Sequence, residues 1–169
     1  MKNFLFGKSL PALIAVTMVV CSSFTLSAQR TGFSGDWKLD ESKSELGDFG
    51  ARAARSIKTE QKDDAITVTR TTPGFNGGDP VTTTISLPFD GKVVESEGFG
   101  GSKRKSTAKW SEDGKTLMIN STMNFERDGE SFEIKSTENW TVTTDGLLSI
   151  AATTISPRGE SSTKAIYKK

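Results

Sequence analysis

Histidine is absent from this 169-residue chain, and cysteine and tyrosine each occur once. The single cysteine, Cys21, falls within an apolar leader, so the chain beyond that leader has neither residue type. That removes the usual zinc, copper and haem ligand sets, along with Ser-His and Cys-His nucleophile pairs. We therefore expect no metal and no cofactor, and any catalysis would have to run on Asp, Glu, Lys, Arg or Tyr167. A disulfide is equally excluded, so stability must come from burial and sheet hydrogen bonding.

An excess of either charge is also missing. There are 22 basic residues against 21 acidic, and losing Lys2 and Lys8 with the leader leaves the balance near zero. Such a balance gives no support for nucleic acid or an anionic membrane as partner. The one apolar run, Leu10 to Cys21, is roughly a dozen residues broken by Thr17, short of the ~20 that a spanning helix needs. With Lys2 and Lys8 before it and Leu26-Ser27-Ala28 after it, Met1 to Ala28 reads as a secretory signal cleaved before Gln29. Met18-Val19-Val20 lacks the small residue that precedes a lipidated cysteine. The expectation is a signal peptide over 1–28 and one domain over 29–169, exported to the periplasm or outside, monomeric, and not inserted in a membrane.

What is present is alternation. Leu117, Ile119, Ser121, Met123 and Phe125 occupy one face of a run that turns at Asp128-Gly129. Phe132, Ile134, Ser136, Glu138, Trp140 and Val142 follow on the next, before Asp145-Gly146. A period of two is what a sheet with one wet and one dry face requires. Asp90-Gly91 and Asp113-Gly114 punctuate earlier runs in the same way. Strands are expected over Gly35 to Asp40, Ser56 to Lys62, Ala65 to Thr72, Val81 to Phe89, Lys92 to Phe99 and Lys103 to Trp110. Four more are expected over Lys115 to Phe125, Glu130 to Thr144, Leu147 to Ser156 and Ser161 to Lys168. Glu41 to Arg55 is an excursion with at most two helical turns, broken by Gly47 and Gly50, suited to capping one end of a barrel. No segment is long enough for a crossover helix, so the class is all-β: an antiparallel up-and-down barrel of about 8–10 strands.

The segment Phe33-Ser34-Gly35-Asp36-Trp37-Lys38-Leu39, followed by Ser42-Lys43-Ser44, resembles the opening of the bacterial lipocalin-like proteins. The closing Ala165-Ile166-Tyr167-Lys168-Lys169 is similar to their last strand. The resemblance implies a calycin-type barrel with Gly35 and Trp37 as its structural motif, Trp37 packing across the closed end, and small apolar or amphipathic molecules as ligands. Lipocalins proper set an arginine from a late strand over that tryptophan, and this chain has no clean match for it.

Polar residues interrupt the apolar faces at a few positions. Arg70 is in register with Ile66 and Val68, and Glu138 with Phe132, Ile134, Trp140 and Val142. A charge buried alone costs several kcal/mol, so each needs a partner, water or a polar ligand. One reading makes Arg70 the fork for a ligand carboxylate or phosphate, with Glu138, Ser121 and Ser136 orienting it and Trp140 and Phe125 lining the pocket. The other pairs these charges structurally or places them in water. Arg104 shares a face with Ser106, Ala108 and Trp110, between Lys103 and Lys105. That triplet is either an anion cradle or a solvated strand edge.

Three functions follow from these readings. The first is an exported, non-enzymatic barrel carrying a small hydrophobic or amphipathic molecule. The second is an interaction module with a filled core, acting through the rim loops Pro73 to Pro80 and Phe99 to Ser102. The third is a cofactorless enzyme using Glu138 with Arg70.

Overall fold

A computed structural model describes residues 29–169 apart from 75, 76, 99, 100 and 128, so the signal reading of Met1 to Ala28 lies outside the described residues. Ten antiparallel strands alternate in and out: β1 Gly35–Leu39, β2 Ser56–Gln61, β3 Ala65–Thr72, β4 Val81–Pro88 and β5 Val94–Glu97. The rest are β6 Lys103–Trp110, β7 Leu117–Arg127, β8 Glu130–Val142, β9 Leu148–Ser156 and β10 Gly159–Lys168. The ladder order is β4-β3-β2-β1-β10-β9-β8-β7-β6-β5. The meander therefore curls until its first and last strands meet, and β4 and β5 are left without a shared ladder. Short Asp-Gly turns make this possible. In the β6–β7 turn, Gly114 takes φ 68°, while Asp113 Oδ1 accepts from Ser111 Oγ at 2.7 Å and from the Lys115 amide at 3.0 Å.

Between β1 and β2 the chain runs through two 3-10 turns, Glu41–Lys43 and Gly47–Arg52. Gly47 at the start of the second and Gly50 within it disfavour an α-helix there. Ser44 ties this excursion to β10: the Ile166 amide donates to its Oγ at 2.9 Å, and its Oγ donates to Asp40 O at 2.7 Å. Glu45 and Lys164 then exchange backbone hydrogen bonds of 2.7 and 2.8 Å. Thus the Ser-Lys-Ser stretch after β1 extends the β1–β10 seam, where only Lys38 opposite Lys168 and Leu39 opposite Tyr167 are in register.

The two ends of the barrel differ. One end is plugged. Residues 30–33 cross it as a strap, Arg30 Nη1 donating to Asp63 O at 2.7 Å and the Thr31 amide to Gly114 O at 3.0 Å. Phe33 is fully buried there, its ring stacked on Trp110 at 5.5 Å and edge-on to Trp140 at 6.0 Å. Trp37 Nε1 donates to Phe33 O at 2.9 Å, and Thr59 Oγ1 donates to the same carbonyl. Burial of aromatic and aliphatic side chains such as Phe33, Trp37, Leu117 and Leu148 contributes about 1.5–3 kcal/mol each.

Trp37 also receives a cation, from the last residue: Lys169 Nζ sits 4.9 Å from its ring centroid. Gly35 is needed beneath it, because its φ is +150° and a Cβ there would meet Lys169 Cε at 2.9 Å. The opposite end, with the 3-10 excursion and the tips of the β3–β4, β5–β6, β7–β8 and β9–β10 hairpins, is open.

Candidate functional site

The interior above the plug is a cavity of about 870 Å³. Aliphatic side chains of β2 to β4 (Ile57, Val68, Ile85, Leu87) form one wall. Leu46 and residues 52–54 of the excursion border its mouth, and Thr82, Thr84, Glu95 and Glu97 border it where β4 and β5 separate. The other wall, on β6 to β10, is mixed, with Ile119, Ile150 and Ala152 beside Arg104, Glu138 and several Ser and Thr.

Arg70 reaches it from β3 because Ile66, Val68 and Arg70 share the inner face; Glu138 comes from β8 between Ser136 and Trp140. The two meet across the lumen in a fork: Nη1 to Oε1 at 2.8 Å and Nη2 to Oε2 at 2.5 Å. Trp140 Nε1 donates to Glu138 Oε2 at 2.8 Å, and the Arg70 guanidinium lies 5.4 Å from the Trp140 ring centroid. Burial pushes the Glu138 carboxyl up, but the Arg70 charge, the bonds from Arg70 and Trp140, and the charge of Arg104 outweigh it and hold its pKa below the ordinary value. Burial likewise lowers Arg70, and the Glu138 charge more than restores it. Tyr167, deep in the same wall, is pushed up to about 12 by burial, with Glu138 adding to the rise and Arg70 opposing it. The side chains of Arg70 and Glu138 remain 28 % and 18 % exposed, because both face the cavity.

Arg104 enters from β6 on the inner face, opposite Met123. Its neighbours Lys103 and Lys105 point outward, 4.0 and 3.7 Å from Glu95. The basic triplet is therefore split, not a cradle. Nor is it a sheet edge, because β6 lies between β5 and β7. Arg104 makes no hydrogen bond or ion pair among the described residues. Burial lowers its pKa, and the nearby Arg70 charge lowers it further against a smaller pull from Glu138. The cavity is thus lined by three guanidiniums, of Arg52, Arg70 and Arg104, and three carboxylates, of Glu95, Glu97 and Glu138; of the inward strand residues Arg70, Arg104 and Glu138, Arg104 alone has no ion-pair partner among the described residues.

Arg70, Arg104, Ser121, Ser136 and Glu138 all line this cavity. Phe125 and Trp140 do not. Phe125 stacks on Phe132 at 5.5 Å near the tip of the β7–β8 hairpin, since β7 continues past the last residue paired with β6. Trp140 is fully buried in the plug and meets the site only through its indole N–H. Arg70 also departs from the ligand-fork reading, because its two terminal nitrogens are already engaged by Glu138. Sequence reasoning missed Ser106, Thr154 and Ser161, which line the cavity beside Ser121 and Ser136. Their signal was the inward parity of each strand. Among the described residues no cluster of His, Cys, Asp or Glu is arranged to hold a metal ion, and no helix is long and apolar enough to cross a membrane.

A ten-stranded antiparallel barrel with its first and last strands joined, one end plugged and a cavity behind it defines a calycin-type β-barrel. Among solved structures the chain is similar to the crystal structure of zebrafish ileal bile acid-binding protein complexed with cholic acid. The two share 20% sequence identity with a TM-score of 0.51, covering 82% of this chain and 99% of that one. That likeness is one of fold. No family model matches the sequence, and no curated protein matches it.

Proposed function

We propose that this protein is an exported, non-enzymatic carrier that holds a small amphipathic molecule inside the barrel, with the ligand's anionic group at Arg104. The observation that carries this reading is the uncompensated Arg104 on the wall of a cavity of about 870 Å³. That volume lies within the range of about 300–1,000 Å³ usual for small-molecule sites. An arriving anion offsets the Arg70 charge that depresses Arg104 and gives this solvent-exposed guanidinium a charged partner. The solved structure of similar fold is complexed with cholic acid, which supports a ligand of this kind.

Glu138 is a poor general acid or base in this arrangement, because both its oxygens are engaged and it is held ionised. A filled core acting through rim loops would leave the cavity and its free cation without a role. Export rests on the signal character of Met1 to Ala28, and a mature mass beginning at Gln29 in protein from its own host tests it.

Titration with a fluorescent fatty-acid probe, following tryptophan emission, tests the carrier reading. Saturable binding is expected, weakened about tenfold or more by Arg104→Met through loss of a charge-assisted bond. No saturable binding overturns it.

A further inference from the structure

Across β6 to β10 the inner wall is built of rungs, each a set of residues directly abreast. The rung beside the plug is apolar: Trp110, Leu117, Trp140, Ile150 and Ala165. Two rungs further toward the mouth every residue carries a hydroxyl. Ser106 faces Ser121, Ser121 faces Ser136, Ser136 faces Thr154 and Thr154 faces Ser161. All five line the cavity.

Neighbouring strands lie about 4.8 Å apart, so the row runs for about 19 Å along the wall. Strands in a closed barrel tilt by about 35–45°, so a rung climbs the wall obliquely and does not ring it at one level. Ser106 and Ser121 satisfy each other at 2.8 Å. Ser136, Thr154 and Ser161 have no side-chain hydrogen-bond partner among the described residues. The facing wall carries aliphatic Ile57, Val68, Ile85 and Leu87, and toward the mouth also Arg70, Thr72 and Thr83.

A bare alkyl chain suits only one of these walls. Laid against the other, it would strip water from a row of hydroxyls and return no bond, which costs affinity at each group. We infer that the cavity takes a rigid acidic amphiphile with several hydroxyl groups along one edge and an apolar opposite edge. The hydroxylated edge lies on the Ser106-to-Ser161 row, and the apolar edge on β2 to β4. This rests on the cavity being a ligand site, as proposed above.

The test is calorimetric titration of the intact protein with 5β-cholanic acid and its mono-, di- and trihydroxylated forms, beside palmitate. Affinity is expected to rise about fivefold with each hydroxyl that finds a partner, even as the ligand becomes less apolar. Ser136→Ala combined with Thr154→Val is expected to flatten the series, weakening the hydroxylated acids while the unhydroxylated acid binds more tightly as two stranded hydroxyls are removed. Denaturation of the ligand-free variant confirms that it folds, and Ser136→Ala alone gives the same reading at half the effect. Affinity that falls as hydroxyls are added, or palmitate binding more tightly than every hydroxylated acid, overturns this inference and leaves carriage in the cavity standing. No saturable binding of any of these acids overturns both.

Discussion

The plugged and open ends of this barrel use the same strands for opposite purposes. Toward the strap at residues 30–33, buried apolar residues include Phe33, Trp37, Leu117, Trp140 and Leu148, and Trp37 Nε1 finds a protein partner while Trp110 Nε1 is buried without one among the described residues. Toward the excursion, inward positions carry Arg70, Arg104 and a row of hydroxyls, several of them facing the lumen without one. A close-packed end stabilises the fold; an end with several hydroxyls open to the lumen is a place for something else to bind. The Arg70–Glu138 pair stands between them and belongs to both.

If that division is right, substitutions at the two ends separate stability from binding. Phe33→Ala is expected to cost about 3–5 kcal/mol in urea denaturation, because the plug cannot collapse around the loss of a ring packed between two tryptophans. Arg70→Met alone strands Glu138 in the wall and costs about 2–4 kcal/mol, while adding Glu138→Gln recovers most of it in a double-mutant cycle. Arg104→Met, by contrast, is expected to stay within about 0.5 kcal/mol of the parent or above it, while weakening an anionic probe. A loss of several kcal/mol there would erase the distinction between the ends. Removing the Lys169 charge, as Lys169→Met, is the mildest change at the plugged end, about 0.5–1 kcal/mol from the cation over Trp37.

Titration sharpens the same boundary. The folded pKa of Glu138 lies below its ordinary 4.5, so its contribution to stability is complete above that value and is lost as pH falls through the lower, folded one. Glu138→Gln should flatten that acid limb of the stability profile. Tyr167 is the sole tyrosine, so its ultraviolet titration reads one group. A midpoint near 12 is expected, moving down in Glu138→Gln as the carboxylate's upward push is removed and the Arg70 charge remains. A midpoint at the ordinary tyrosine value of 10.0 in the parent would place Tyr167 in water.

The strands were legible in the sequence because alternation and Asp-Gly turns are local. Ala65–Thr72 and Lys103–Trp110 fall where the pattern places them. β5 is shorter than Lys92 to Phe99, since Val94–Glu97 alone has β6 beside it. Facing, too, was legible: parity puts Arg70, Glu138 and Arg104 inward. What parity cannot supply is distance across the lumen, and that decides that Arg70 forks onto Glu138 while Arg104 has no ion-pair partner among the described residues. The hydroxyl row was illegible for a related reason, since it depends on the register of five strands and each strand contributes one unremarkable Ser or Thr. The cation over Trp37 was sought on a late strand as arginine, and the structure supplies it as Lys169, just past β10.

The ladder order bears on how the chain reaches this state. With β4 and β5 unpaired, the sheet is two runs of consecutive hairpins, β1 to β4 and β5 to β10, joined only where β1 meets β10. Apart from β1–β2, which spans the excursion, the pairings within a run close short loops, whereas the seam brings together residues such as Lys38 and Lys168 from opposite ends of the chain. Loop-closure entropy makes that seam the costliest contact to form. Few strand pairs hold it, and Ser44 and Glu45 add their own hydrogen bonds to β10 there.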